Sequence, residues 1–93
     1  MRKYDAVFIY RTGADTLTTG KELVAKEFSS SDIKLLEEQD MGERDLAYEI
    51  KKMNRGHYIR YELELNPETI QSLQKALKLR PEILKFVFFK KDS

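Results

Sequence analysis

Alternating apolar and polar residues mark two strands of this chain. Residues 57–65 change from apolar to polar at nearly every second position, and residues 3–10 place Tyr4, Ala6, Phe8 and Tyr10 on one face and Asp5, Val7 and Ile9 on the other. A period of two is typical of strands that bury one face. The stretch 57–65 is the clearer of the two, and its apolar face comprises Ile59, Tyr61, Leu63 and Leu65.

Two further segments have the spacing of amphipathic helices. The first is predicted to begin at a cap on Asp15 or Thr16 and to end in the serine run 29–31. The second is predicted to begin at Asn66, with Pro67 as its first helical residue, and to end ahead of the next proline. Their apolar stripes comprise Leu17, Val24 and Phe28 in the first helix and Ile70, Leu73 and Leu77 in the second.

The remaining apolar segments complete the pattern. Residues 33–50 are predicted to form a strand that bends at the acidic residues 37–40 and continues beyond Gly42. Asn54, Arg55 and Gly56 form a sequence typical of a hairpin turn. Residues 83–90 are predicted to form the last strand.

The predicted order is therefore strand, helix, strand, strand, helix, strand. This order indicates an α+β protein with the ferredoxin-like βαββαβ arrangement. We expect a single domain over residues 1–93, in which two helices cover one face of a four-stranded antiparallel sheet. The other face of the sheet would be open.

The charge balance adds information about partners. The chain has 17 basic and 16 acidic residues, a net charge of +1, and no cysteine. Residues 32–49 hold seven acids against two bases, whereas residues 78–91 hold five bases against one acid. A near-neutral but polarised chain can place one positive face on RNA, and it would bind weakly alone because few phosphates are neutralised. The longest apolar run, residues 86–89, is too short to span a bilayer, and the cytoplasm is the expected location.

Two sets of residues are candidates for binding. The predicted open face would carry Val7, Ile9, Tyr58, Val87 and Phe89, which favours a protein partner there. From this face we select Tyr58, Arg60, Val87 and Phe89 as the partner-binding residues. Cations at strand ends and turns are the candidate phosphate contacts, and they are Arg2, Arg44, Lys51, Lys52, Arg55, Arg80 and Lys85.

One segment also resembles a known family. Residues 42–51, GERDLAYEIK, alternate as a half-buried strand does and have cations near both ends. They resemble the signature of bacterial small-subunit ribosomal protein six at every defined position. The chain start, residues 1–4, the segment 54–58 and the segment 79–85 are similar to that family in the same order.

The resemblance implies a structural constituent of the small ribosomal subunit. It implies binding to small-subunit ribosomal RNA, in its central domain, as a heterodimer with ribosomal protein eighteen, a small basic protein. It implies a location in the cytoplasm, within the ribosome, and neither a cofactor, nor a membrane contact, nor a small-molecule substrate.

Two other classes of function fit the same fold. Some ferredoxin-like domains hydrolyse acyl phosphates, but residues 11–14 have only one glycine and one arginine, and the chain has no constellation for nucleophilic catalysis. We therefore predict no enzyme and no catalytic residues. The single histidine, His57, cannot form a metal site, and no metal is expected. A small-molecule-binding regulatory domain of the same fold remains the alternative.

Overall fold

The computed structural model describes residues 2–91 and has the predicted order of elements. The elements are β1 (Arg2–Tyr10), α1 (Ala14–Ser30), β2 (Lys34–Ile50), β3 (Met53–Leu65), α2 (Thr69–Lys78) and β4 (Ile83–Lys90). The strands form one sheet in the order β2-β3-β1-β4, and every neighbouring pair is antiparallel. The ferredoxin-like prediction is therefore confirmed.

The core lies between one face of this sheet and the two helices. Alternation along β1 and β3 directs every second side chain to this face, as the sequence predicted. Phe86 and Phe88 of β4 pack against the same cluster. Its fully buried side chains include Phe8, Ile59 and Leu63 from the sheet and Leu73 and Leu77 from α2.

Both helices differ from the prediction at their first residues. Gly13 precedes α1, and neither helix has a side-chain hydrogen bond at its N-cap. The second helix begins at Thr69 rather than at Asn66. Asn66 instead closes a turn, since its Oδ1 accepts a hydrogen bond from the Glu68 amide at 3.2 Å. An asparagine can cap a turn as readily as a helix, which is why the start was placed too early.

The hairpin turn between β2 and β3 is not where the sequence predicted it. Asn54, Arg55 and Gly56 lie within β3, and the turn is the pair Lys51-Lys52. Both lysines have positive φ, +48° and +66°. Two positive φ angles in a two-residue loop define a type I′ turn, which usually carries Asn-Gly.

This strand position, residue 56, is a glycine because there is no room for a side chain. It is buried, and a Cβ at this position would lie 2.3 Å from Cγ2 of Ile9 and 3.4 Å from Cδ2 of Leu46. The asparagine-glycine spacing therefore reflects close packing of β3 on neighbouring strands, and not a turn.

Gly42 lies at one of the three register shifts in the pairing of β2 with β3. The pairing with β3 shifts register between Asp40 and Gly42, and Gly42 has a φ of +81°. Its amide donates to Asp40 Oδ1 at 2.9 Å, and the same oxygen lies 2.6 Å from Nε2 of His57. The Gly42 hydrogen bond, followed by that of His57, holds the pKa of Asp40 below its usual value. A bulge of this kind increases strand twist, and β2 continues through it to Ile50, as the sequence predicted.

The twist carries the end of the β2–β3 hairpin across the sheet. β2 and β4 are at opposite edges of the sheet, yet Nζ of Lys85 in β4 donates to the Tyr48 hydroxyl in β2 at 3.0 Å. Ile9, predicted to lie on an open face, is 8% exposed, and Leu46 lies beside it across Gly56. The hairpin therefore covers one end of the face that the sequence left open.

Two buried tyrosines should make the fold sensitive to alkali. The hydroxyls of Tyr10 and Tyr61 are 2.7 Å apart in the core. Burial raises the pKa of both, that of Tyr61 to about 12. Because folding favours the neutral phenols, their stabilisation is complete below the unfolded pKa of roughly 10 and is lost as pH rises through the folded values. The double variant Tyr10→Phe/Tyr61→Phe should lose less stability than the parent between neutral pH and about pH 11, measured by denaturant unfolding. An equal loss in both proteins would contradict this.

Candidate functional site

All four predicted partner-binding residues lie on the sheet face away from the helices. Val7 of β1 pairs with Arg60 on one side and with Val87 on the other. Ile9 is flanked in the same way by Tyr58 and Lys85, and Asp5 by Glu62 and Phe89. Phe89 is 54% exposed. We call Tyr58, Arg60, Val87, Phe89 and Val7 the open face.

An ionic network surrounds Arg60 on this face. Its guanidinium contacts Asp5 Oδ1 at 2.8 Å, Gln39 Oε1 at 3.1 Å and Glu37 Oε2 at 3.5 Å. Two carboxylates therefore meet one arginine.

A second ion pair lies next to that network. Nζ of Lys91 is 2.5 Å from Glu62 Oε1 and 3.9 Å from Asp5 Oδ1. The hydrogen bond to Glu62 raises the pKa of Lys91 and lowers that of Glu62. Glu62 thus stays ionised at neutral pH and, with Lys91, extends the ionic network beyond Asp5.

A group of cations lines a groove at the end of the sheet where the hairpin turns. Three segments that are far apart in the chain meet there, and Leu79 and Pro81 complete the lining. We call this the basic groove, and its cations are Arg11, Lys51, Lys52, Lys78 and Arg80. Its lining includes no carboxylate among the residues that the structure describes.

Hydrogen bonds to main-chain oxygens fix the shape of the groove. Arg11 donates from Nε to Pro81 O at 2.7 Å and from a terminal nitrogen to Lys51 O at 3.4 Å. Lys51 donates from Nζ to Ile83 O at 2.9 Å. None of these bonds neutralises a cation, because carbonyl acceptors carry no net charge. The groove is therefore preorganised and remains positive.

The turn that supplies two of these cations is strained. A non-glycine residue in the left-handed region costs roughly 1–2 kcal/mol, and Lys51 and Lys52 are both in it. Asparagine and glycine would form the same turn with less strain. Strain kept in an exposed turn favours a functional reason for the lysines.

The other four predicted phosphate contacts are not in the groove. Arg2 begins β1, whose opposite end is next to the groove, so about 26 Å of extended strand separates them. Arg55 forms ion pairs with Asp45 at 2.9 Å and with Glu43 at 3.9 Å. Arg44 is exposed on the hairpin, and Lys85 donates a hydrogen bond to the Tyr48 hydroxyl.

Sequence reasoning missed two members of the basic groove. Arg11 directly follows β1, and Lys78 is the last residue of α2. Both are cations at element ends, which is the signal that selected the other candidates. Within residues 2–91, no helix is long and apolar enough to cross a membrane. Over the same residues, no three acidic, histidine or cysteine side chains are grouped to hold a metal ion.

Comparisons with known proteins agree on one family. A family-wide sequence model described as Ribosomal protein S6 matches residues 3–90. The small ribosomal subunit protein bS6 of Treponema pallidum (strain Nichols) is 30% identical over 93 residues, covering all of this chain and all of that protein. The crystal structure of 30S ribosomal protein S6 from Thermotoga maritima is similar with a TM-score of 0.85 at 28% identity, over 97% of this chain and 87% of that one.

A further solved structure is similar in fold alone. The C-terminal domain of the MgtC protein from Mycobacterium tuberculosis has a TM-score of 0.64 at 17% identity, over 98% of this chain and 88% of that one. The same arrangement of strands and helices therefore occurs outside the ribosomal proteins, and function has to be argued from surfaces.

Proposed function

This chain belongs to the ribosomal protein S6 family of the small ribosomal subunit, and we propose that it binds small-subunit ribosomal RNA together with ribosomal protein eighteen. The resemblance carried by residues 42–51 is confirmed by this membership. In this proposal the chain is a structural component and not an enzyme, and it acts in the ribosome, in the bacterial cytoplasm.

The basic groove is the observation that carries the RNA-binding proposal. Five cations converge in a chain whose net charge is only +1. Of these, Arg80 alone forms an ion pair within 4 Å in the described part of the chain, at 3.9 Å from Glu27 Oε1. Unpaired cations on a fixed concave surface suit a phosphate backbone, since binding them releases condensed counterions.

The open face supports the proposal of a basic protein partner. Val7, Val87 and Phe89 supply apolar area. Beside them, three carboxylates (Asp5, Glu37 and Glu62) pair with two cations (Arg60 and Lys91), so the network has one negative charge in excess. An apolar strip next to excess negative charge is complementary to a small basic protein. The complex of the two proteins would contact more phosphates than this chain does alone.

The two surfaces are on different parts of the molecule, which allows RNA and protein to bind together. The basic groove is at the hairpin turn, and the exposed apolar strip runs along β1 and β4 towards Phe89. Arg2, Arg44, Arg55 and Lys85 remain predicted RNA contacts outside the groove.

A titration of RNA tests the proposal. The probe is a three-way junction from small-subunit ribosomal RNA, titrated at two salt concentrations with this chain, with ribosomal protein eighteen, and with both. We expect tight, salt-dependent binding only when both proteins are present. Failure of every combination to bind would overturn the proposal and favour a small-molecule-binding regulatory domain.

Val87→Asp should weaken binding of the protein partner at the open face. A carboxylate at the centre of the apolar strip would be buried without a partner on complex formation, so affinity for ribosomal protein eighteen should fall by about tenfold or more. Calorimetric titration measures the affinity, and circular dichroism checks the fold. Lys26→Asp, an exposed change on α1, is the matched control. Full affinity in the Val87 variant would remove the open face from the interface.

A further inference from the structure

A second groove lies between α2 and the outer edge of β4. It has a volume of about 610 Å³, within the range of small-molecule and nucleotide sites. We call it the α2–β4 groove, and its lining comprises Gln71, Gln74, Lys75, Lys78, Lys85 and Phe86.

The helix presents a polar stripe to this groove. Gln71, Gln74, Lys75 and Lys78 follow the spacing i, i+3, i+4, i+7, so they share one side of α2. The buried side of α2 packs on the sheet, and β4 has a strand on one side only. The stripe therefore faces an exposed sheet edge that no other described strand covers.

An aromatic ring forms the floor. Phe86 is partly buried and stacks on Phe8 with ring centroids 5.8 Å apart and 25° between planes. Because Phe8 is fully buried, the Phe86 ring is held in place from below. Its remaining exposed surface is available for a flat ligand.

The two grooves are adjacent. Lys78 lines both of them. Neither lining contains a carboxylate in the part of the chain described, residues 2–91. A single extended polyanion could therefore run from the hairpin turn along α2 without meeting negative charge.

We propose that the α2–β4 groove binds one unpaired nucleotide of the RNA strand whose backbone occupies the basic groove. Lys75 and Lys78 contact its flanking phosphates, the base stacks on Phe86, and the amides of Gln71 and Gln74 bind the base edge. This inference rests on the proposed function and adds a site for base contact.

The chemistry of the lining favours a nucleotide over an acidic peptide. A carboxylate offers only acceptors, for which lysines suffice, whereas a base edge offers donors and acceptors together. Glutamine amides match that mixed pattern, and an aromatic floor suits the face of a base. Unpaired bases are also the part of RNA that proteins commonly recognise through stacking.

The test compares the loss of two uncharged side chains with the loss of one lysine, in the complete assembly of RNA and both proteins. Gln71→Ala/Gln74→Ala should weaken binding of the RNA junction by about tenfold, in the presence of ribosomal protein eighteen, without changing its salt dependence. Lys75→Ala should lower the salt slope by about one phosphate contact. Ser72→Ala, an exposed change on the same helix, is the control and should bind as the parent does.

The outcomes separate this inference from the proposed function. Parent-like affinity in both variants would overturn the α2–β4 site and leave RNA binding by the basic groove intact. Absence of RNA binding by the parent assembly would overturn both. A glutamine variant that loses affinity for ribosomal protein eighteen when no RNA is present would assign the groove to the protein partner and also overturn the nucleotide site.

Discussion

Lys52→Asn/Lys78→Gln should weaken RNA binding on the order of 30-fold near 0.1 M salt, because two phosphate contacts are lost. The slope of log affinity against log salt should fall by about 1.4 to 1.8, from about 0.7–0.9 for each contact. Both lysines are exposed, and neither side chain has a hydrogen bond or ion pair within the described residues. The measurement is the junction titration, with ribosomal protein eighteen present, over a series of salt concentrations.

The same variant should fold at least as stably as the parent. Lys52 has a φ of +66°, and asparagine tolerates the left-handed region better than lysine does. Weaker RNA binding in a protein of equal or higher unfolding midpoint cannot be explained by lost structure. Lys26→Gln/Lys34→Gln, which removes two exposed charges elsewhere, is the matched control. An equal drop in slope for the control would show that net charge, and not the basic groove, sets the affinity.

Gly56→Ala should destabilise the fold by about 1–3 kcal/mol, the usual effect of overpacking. The new methyl group would lie 2.3 Å from Cγ2 of Ile9, a distance at which the Ile9 side chain, β1 or the hairpin must move. Urea unfolding at neutral pH measures the change. The effect is a large fraction of the stability of a small domain.

A double-mutant cycle would assign that effect to the contact with Ile9. Ile9→Ala removes Cγ2 and leaves space for the methyl group at position 56. We expect the Ile9→Ala/Gly56→Ala protein to be more stable than the sum of the two single changes predicts. Simple additivity would mean that the glycine is required for another reason, such as its contact with Leu46.

The strand faces could be predicted because their signal is local. A strand directs successive side chains to opposite faces, so the alternation along β1 and β3 identified both the buried residues and the open face. The helices were found for the same reason, with an error of a few residues at their starts. The cap of α2 was misplaced because Asn66 has two local uses, and only the surrounding chain selects between them.

The hairpin shows where local rules fail. Asn54-Arg55-Gly56 has the composition of a turn, yet Gly56 is a strand residue that makes room for Ile9, 47 positions earlier in the chain. The actual turn is built from two lysines in a conformation that lysine disfavours. Packing of the long hairpin over the sheet outweighs both preferences.

By itself the sequence determined the order of elements, the fold class, the family signature over residues 42–51 and the excess of cations near the C-terminus. Each is a matter of residue type and spacing along the chain. The tertiary structure alone decided which cations meet. Lys51, Lys52 and Arg80 come together with Arg11 and Lys78 because the β2–β3 hairpin reaches across the sheet towards β4. Arg55, selected by the same sequence rule, is instead neutralised by acids on the neighbouring strand. Charge on a side chain is a property of the residue, but the field at a surface depends on which charges the fold brings together.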